Sequence, residues 1–241
     1  MDDQKEITFH ENKLWQSEIK PVAGIDEAGR GPLAGPVVAA AVVFPKNISP
    51  FIKKDSKKLT PKKRMEFFFK IFGEATAIGI GFADSIEIDE INILNATKLA
   101  TIRALESLHI KPQFLITDAL FIPEYGDKQL NLIKGDEKSI SCAAASIIAK
   151  VTRDFIMKEL DIMFPEYNFK KHKGYPTKEH INLLKENGAS PIHRRSFGRV
   201  KECKSRNRGR KNSFPLSAKE RLLHYEKKFQ KLLRRNRYSG F

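Results

Sequence analysis

Two short apolar segments near the start of the chain constrain its fold most strongly. Val22 to Glu27 and Val37 to Phe44 are rich in Val, Ile and Ala, and the sequence GRGPLAGP lies between them. Segments of this length, bounded by Gly and Pro, are typical of neighbouring strands. We therefore predict that a β-sheet begins here.

Further strands alternate with helices along the following residues. A helix is expected to begin at Pro61, followed by a strand at residues 76–83. Another short apolar strand, Phe114 to Thr117, stops at Asp118. This alternation predicts an α/β fold in which a mixed sheet is flanked by helices.

Two longer helices have recognisable limits. The sequence Asp84-Ser85-Ile86-Glu87 is a capping box, and the helix after it should have one apolar face, formed by Ile91, Leu94, Leu99, Ile102 and Leu105. Residues 139–164 are apolar on much of their helical circumference and are expected to form a largely buried helix.

The charge of the chain is concentrated at its C-terminal end. Lys and Arg number 44 and Asp and Glu 29, a formal charge of +15. Residues 201–241 carry 14 basic and 3 acidic residues, a net +11, against +4 for residues 1–200. An excess of this size points to polyanionic partners. Within this basic tail, a capping box at Ser217 predicts a helix, whose basic face is either a solvated surface or a phosphate-binding face.

Several classes of protein are disfavoured. The longest apolar run has eight residues, far below the roughly 20 that a membrane-spanning helix needs. The first ten residues lack the pattern of a secretion signal, so we expect a cytoplasmic protein with no membrane partner. Two cysteines, Cys142 and Cys203, form neither a disulfide framework nor a zinc motif, and we expect reduced thiols.

Four acidic residues lie at the ends of predicted elements: Asp26, Glu27, Asp118 and Asp136. Each alone has an ordinary explanation, as a strand end, a turn former or a residue near a helix start. Together they supply hard oxygen ligands without histidine or cysteine, which suits Mg²⁺ or Mn²⁺ rather than zinc.

The adjacent acids Asp26 and Glu27 raise a geometric question. Neighbouring side chains of a regular strand point to opposite faces, so both reach one metal centre only if the strand ends or bulges there. Gly29 and Gly31 favour such an irregular exit. Binding by the Glu27 carboxylate, by its main-chain carbonyl or through water stays open.

The segment GIDEAGRGPLAGPV at residues 24–37 closely resembles the signature of the ribonuclease HII family. Further blocks agree in order: DSKKLTPKKR, IDEINILNATKLA, KGDEKSISCAAASIIAKVTRD and HKGYPTKEHINLLKENGASPIHRRSFGRV. The resemblance implies a ribonuclease H-like fold over a catalytic domain at residues 21–200. An N-terminal segment, 1–20, precedes it, and a basic linker and helix extension, 201–241, follows.

The resemblance also implies an activity. The four acids would hold two divalent metals about 4 Å apart for phosphodiester hydrolysis. The family cleaves the RNA strand of RNA/DNA hybrids and cuts 5′ of single ribonucleotides in duplex DNA, leaving 3′-hydroxyl and 5′-phosphate ends, in ribonucleotide removal during DNA replication and repair.

Four substrate-binding residues follow from the same resemblance: Gly29, Arg30 and Gly31 would contact the ribose, and Tyr175 would stack on the next sugar. Lys57, in the block DSKKL, is a candidate for phosphate contact. Without the family match, the glycines are a plain strand-exit turn and Tyr175 a loop aromatic. Other candidates for phosphate contact are Lys171, His172, Lys173, His193, Arg194 and Arg195.

Two alternatives stay open on the sequence. A non-catalytic nucleic-acid-binding protein would explain the charge, and another ribonuclease H-like nuclease acting on DNA would explain the acids. We expect a monomer. Residues 230–233 faintly resemble the start of a sliding-clamp peptide but lack its aromatic end, so a clamp partner is only weakly indicated.

Overall fold

The computed structural model describes residues 7–52, 59–203 and 220. Lys57 and, apart from Glu220, the predicted tail helix lie outside them. No helix of the described part is long and apolar enough to cross a membrane. In chain order the elements are α1 (Phe9–Gln16), β1 (Val22–Ala28), β2 (Val37–Val43), α2 (Pro61–Glu74), β3 (Ala77–Ala83), α3 (Ser85–Glu106), β4 (Phe114–Asp118), β5 (Gln129–Leu132), α4 (Gly135–Lys138), α5 (Ile140–Met163), α6 (Phe169–His172), α7 (Lys178–Asn187) and α8 (Gly198–Lys201).

The chain alternates between two compact units. The first comprises the described residues of Met1–Ala28, Val38–Phe82 and Thr97–Val151, and the second those of Gly29–Val37, Ala83–Ala96 and Thr152–Phe241. The division into residues 1–20, 21–200 and 201–241 stays a prediction.

The first unit is built on a five-stranded sheet with the order β3-β2-β1-β4-β5. β1 pairs antiparallel with β2 and parallel with β4, which pairs parallel with β5. The predicted mixed sheet and its first four strands are therefore confirmed. The sequence analysis missed β5 because its four residues, QLNL, are too short and too polar to stand out.

Helix α5 packs closely on the centre of this sheet. At Gly24 of β1 an added Cβ would lie 2.2 Å from the carbonyl carbon of Ser141, so only glycine allows this approach. The Cys142 thiol donates to the carbonyl of Ile116 at 3.1 Å. This helix is buried as predicted, and around Cys142 it forms a core with Trp15, Val22, Ile116 and Leu132.

Helix α3 differs from its predicted form. Its capping box is confirmed, since Asp84 Oδ1 accepts from the N–H of Glu87 and Glu87 Oε2 from that of Asp84. However, the helix is interrupted at Asn92 (φ 66°, ψ 166°), and the predicted apolar residues Ile91 and Leu94 are exposed. After this interruption, the buried residues of the helix are Ala96, Thr97, Ala100, Thr101 and Ala104.

The reason for these small residues is the neighbouring strand β3. A Cβ added at Gly79 or Gly81 would come within 2.0 Å of the carbonyl oxygens of Ala104 and Ala100. The backbones of helix and strand are thus too close for large side chains. A hydrophobic pattern does not detect an interface built from Ala, Thr and Gly.

The second unit contains the helical C-terminal part. Its core forms around Leu33, Leu184 and Val200, with Phe197 and Cys203 packed against it. Helix α7 is capped by Thr177, whose hydroxyl accepts from the N–H of His180.

Candidate active site

Asp26 lies in β1 beside the end of β4. The parallel pairing of β1 with β4 runs to Ile25 and Thr117, so Asp26 and Asp118 are the next residues on the two strands. Asp26 is buried, and its Oδ1 accepts from the N–H of Glu27 at 2.7 Å. Because adjacent parallel strands end at the same edge of a sheet, the structure brings these predicted acids together.

The charges around Asp26 oppose its ionisation. Burial raises the pKa of the Asp26 carboxyl well above its ordinary value, and the nearby charges of Glu27 and Asp118 raise it further. Hydrogen bonds from the Ser146 hydroxyl and the Glu27 N–H act in the opposite direction. A divalent cation at this edge would remove the repulsion between the carboxylates, so these oxygen donors fit a hard metal ion.

Asp136 is joined to the same edge through its neighbour Gly135. The Asp118 Oδ1 accepts from the N–H of Gly135 at 2.9 Å, and a Cβ added at Gly135 would lie 3.1 Å from the Asp118 Cα. This contact holds the start of α4 against the end of β4. Asp136, in the first turn of α4, is 1% exposed.

The expected irregular exit between Asp26 and Glu27 is not observed. β1 continues in register with β2 through Glu27 and Ala28, and the backbone turns only at Gly29 (φ 103°). In a regular strand Asp26 and Glu27 point to opposite faces. Among the described residues, no three Asp, Glu, His or Cys side chains already form a cation-binding group.

The predicted ribose loop, Gly29-Arg30-Gly31, lies in the second unit, and its two glycines differ. A Cβ at Gly29 would lie 2.2 Å from Arg153 Nε, and its φ of 103° is unfavourable for other residues. At Gly31 no atom of the described residues lies within 4 Å of an added Cβ. Packing therefore explains the first glycine, whereas the second borders open space.

Tyr175 also belongs to the second unit. Its side chain is 38% exposed, and the Arg153 guanidinium lies 5.7 Å from its ring centre. Its N–H donates to the carbonyl of His172, and its carbonyl accepts from Nδ1 of His180 at 2.9 Å. The backbone is thus fixed on both sides of a partly accessible ring.

Three of the other candidates for phosphate contact were predicted wrongly, because they are not on the surface. His172, His193 and Arg194 are buried, and the protein itself occupies their polar atoms. Among the exposed candidates, Lys171 forms an ion pair with Glu179 at 2.7 Å. Basic residues are mostly exposed, so the sequence predicts an exposed Arg194. Its burial becomes visible only through its contacts with residues that are distant in the chain.

Comparisons with known proteins point to one family. A family model described as Ribonuclease HII matches residues 23–200. A ribonuclease HII of Caldanaerobacter subterraneus is 53% identical over 195 residues, covering 80% of each chain.

Two solved structures are also similar. Ribonuclease H2 of Pyrococcus horikoshii is 33% identical, with a TM-score of 0.66 over 76% of this chain and 97% of that one. The PCNA:RNase HII complex from Archaeoglobus fulgidus contains a chain 27% identical, with a TM-score of 0.57 over 69% of this chain and 88% of that one.

Proposed function

This chain belongs to the ribonuclease HII family, and from that premise we propose that it hydrolyses phosphodiester bonds 5′ of ribonucleotides. Its substrates are the RNA strand of RNA/DNA hybrids and single ribonucleotides embedded in duplex DNA. The products carry 3′-hydroxyl and 5′-phosphate ends. This activity would serve ribonucleotide removal from DNA.

The observation that carries the proposal is the placement of Asp26 beside Asp118 at one edge of the sheet. Burial and the charges of Glu27 and Asp118 raise the pKa of Asp26, a perturbation that is common at catalytic sites. Asp26, Glu27, Asp118 and Asp136 would hold Mg²⁺ or Mn²⁺. Bound there, the ions would supply an activated water and stabilisation of the leaving 3′ oxygen.

The side chains themselves bind and orient. The Ser146 hydroxyl and the Glu27 N–H hold the Asp26 carboxylate, and the Gly135 N–H holds that of Asp118. These hydrogen bonds leave further carboxylate lone pairs for a cation. Since β1 is regular at Glu27, this residue would reach the same centre through water or after a change of its side-chain conformation.

Substrate selection would depend on the second unit. The accessible backbone at Gly31 allows a sugar to come close, and the partly exposed ring of Tyr175 offers an apolar face for stacking. The basic tail would add attraction to the phosphate backbone.

The decisive experiment uses three labelled duplexes that differ at one nucleotide or one strand: all-DNA, DNA with one ribonucleotide, and an RNA/DNA hybrid. With Mg²⁺ or Mn²⁺, we expect cleavage of the second and third only, with a 5′ cut at the ribonucleotide. Binding without product would favour the non-catalytic alternative. Cleavage of the all-DNA duplex would favour a DNA nuclease.

The remaining expectations are a monomer, a cytoplasmic location and, more weakly, a sliding-clamp partner. The relative from Archaeoglobus fulgidus was solved with PCNA. In this chain, residues 230–233 lie outside the described residues. Co-elution of the full chain with a clamp, compared with a chain ending at Cys203, tests that partner.

A further inference from the structure

Arg194 is a buried cation whose donors all point to one loop. Its Nε donates to the carbonyl of Gly35 at 3.0 Å, and Nη1 to those of Arg30 at 3.0 Å and Pro32 at 2.8 Å. Nη2 donates to the carbonyls of Gly29 at 2.6 Å and Gly35 at 2.9 Å. These bonds use all five N–H groups of the guanidinium.

Arg153 holds the other end of the same loop. Its Nη2 and Nε donate to the carbonyls of Ala34 at 3.1 Å and Pro36 at 3.0 Å. Its Nη1 donates to the carbonyl of Lys173 at 3.0 Å, and its guanidinium lies beside the Tyr175 ring. Arg153 therefore joins residues 29–36 to the segment that carries Tyr175.

These contacts determine which way the peptide groups of the loop face. In a trans peptide the C=O and the following N–H point in opposite directions. Because Arg194 binds the carbonyls of Gly29 and Arg30, the N–H groups of Arg30 and Gly31 point away from the guanidinium. Such N–H groups are suited to phosphate oxygens and to the oxygen of a 2′-hydroxyl.

The two arginines also add positive charge behind the loop. Burial lowers the pKa of Arg153 to about 10 and, with the charge of Arg153, lowers that of Arg194. Arg153 thus keeps its charge at neutral pH, and arginine is the residue least easily deprotonated. A fixed loop in front of buried positive charge is prepared for an anionic backbone before it binds.

We propose that Arg194, supported by Arg153, is a positioning residue that sets ribonucleotide discrimination by fixing the orientation of the peptide groups at residues 29–31. The inference rests on the proposed function. Arg194 does not touch the substrate and acts through the loop backbone.

The test compares Arg194→Lys with Arg199→Lys, an identical change at an exposed arginine of α8. Dissociation constants are measured, without divalent metal, for two duplexes that differ only by one 2′-hydroxyl. We expect Arg194→Lys to lower the preference for the ribonucleotide about tenfold, with little change in affinity for all-DNA duplex. Arg199→Lys should keep the wild-type preference.

A double-mutant cycle with Gly31→Ala separates this role from general destabilisation. If Arg194 and Gly31 act through the same backbone, the double variant should keep as much preference for the ribonucleotide duplex as the single variant with the smaller preference. Additive losses would overturn the inference.

Wild-type protein provides a measurement that does not depend on a variant's folding. Binding of the ribonucleotide duplex should shift the backbone amide resonances of residues 30 and 31 while leaving those of residues 33–35 in place. Rearrangement of the whole loop would overturn the inference, as would an undiminished preference in Arg194→Lys. Failure of wild type to cleave the ribonucleotide duplex with Mn²⁺ would instead reject the proposed function.

Discussion

His180 and His193 are joined through their Nε2 atoms, 3.0 Å apart, inside the second unit. The Nδ1 of His193 accepts from the N–H of Ser190, and the Nδ1 of His180 faces the carbonyl of Tyr175. These partners assign a donating Nε2–H to His193 and an accepting Nε2 to His180. Each ring is therefore neutral, and a further proton would disrupt the chain of bonds that ends at Tyr175.

Acid should therefore destabilise the protein through these rings. Burial lowers the pKa of His180 to about 4, so between pH 6.5 and 4 the unfolded chain binds more protons and stability falls with pH. In the wild type this loss of unfolding free energy is on the order of 3 kcal/mol over the whole interval, and His180→Asn should remove most of it and so flatten the pH dependence. Denaturant unfolding from pH 7 to 4 measures it, with the exposed His109→Asn as control. An unchanged slope in His180→Asn would contradict the assignment.

Replacing one of the four acidic residues by its amide should lower activity and raise stability. Without metal, Asp26→Asn or Asp118→Asn removes repulsion between carboxylates and should raise the free energy of unfolding at pH 7 by about 1 kcal/mol. Cleavage should fall by about 100-fold or more because an amide binds divalent cations poorly. Asp136→Asn should lower cleavage at least as strongly, because it too removes a carboxylate from the proposed metal ligands.

The control is Asp127→Asn, the same change at an exposed residue, which should alter neither the free energy of unfolding nor the cleavage rate. Thermal unfolding with and without Mg²⁺, together with cleavage assays, measures both effects. Full activity in any of the three variants would remove that residue from the metal site.

The two loop glycines should respond differently to alanine. Gly29→Ala places a Cβ against Arg153 at a positive φ and should destabilise the fold by about 2 kcal/mol or more. Gly31→Ala meets open space and should unfold like wild type, yet lose about tenfold in cleavage of the single-ribonucleotide duplex. Wild-type cleavage by Gly31→Ala would show that no sugar approaches there.

Tyr175 should matter most for single ribonucleotides. Tyr175→Ala removes the stacking face and should lower kcat/KM on that duplex by about tenfold or more. Tyr175→Phe keeps the ring and should lose less. Because the backbone bonds of Tyr175 do not involve its ring, both variants should stay folded. A wild-type rate for Tyr175→Ala would contradict the stacking role of its ring.

The basic tail should act through electrostatics alone. A chain ending at Cys203 removes a net +11 but keeps Cys203 packed against the core of the second unit. Duplex affinity should weaken, and the slope of log affinity against log salt should flatten by about 0.9 for each phosphate that the tail neutralises in the full chain. Cleavage at saturating substrate should hardly change. An identical slope in both chains would assign the basic residues to a solvated surface.

Local chemistry explains what could be predicted from the sequence. Apolar runs and turn residues identified β1 and β4, and the Asp84–Glu87 box identified the start of α3. The sequence also located Asp118 at the end of β4, whereas Asp26 lies within β1, two residues before that strand ends. It did not reveal the burial of Arg194, because the carbonyls that bind its guanidinium lie more than 150 residues away in the chain.

The parallel pairing of β1 with β4 has a consequence for how the enzyme is made. β1 and β2 are close in sequence and can pair as soon as both leave the ribosome. Gly24 of β1 can pair with Ile116 of β4 only after about ninety further residues have been synthesised. Closing so long a loop is entropically costly and slows folding. Asp26 and Asp118 become neighbours only in that step, so a nascent chain can form its first hairpin well before the sheet edge that carries these proposed metal ligands.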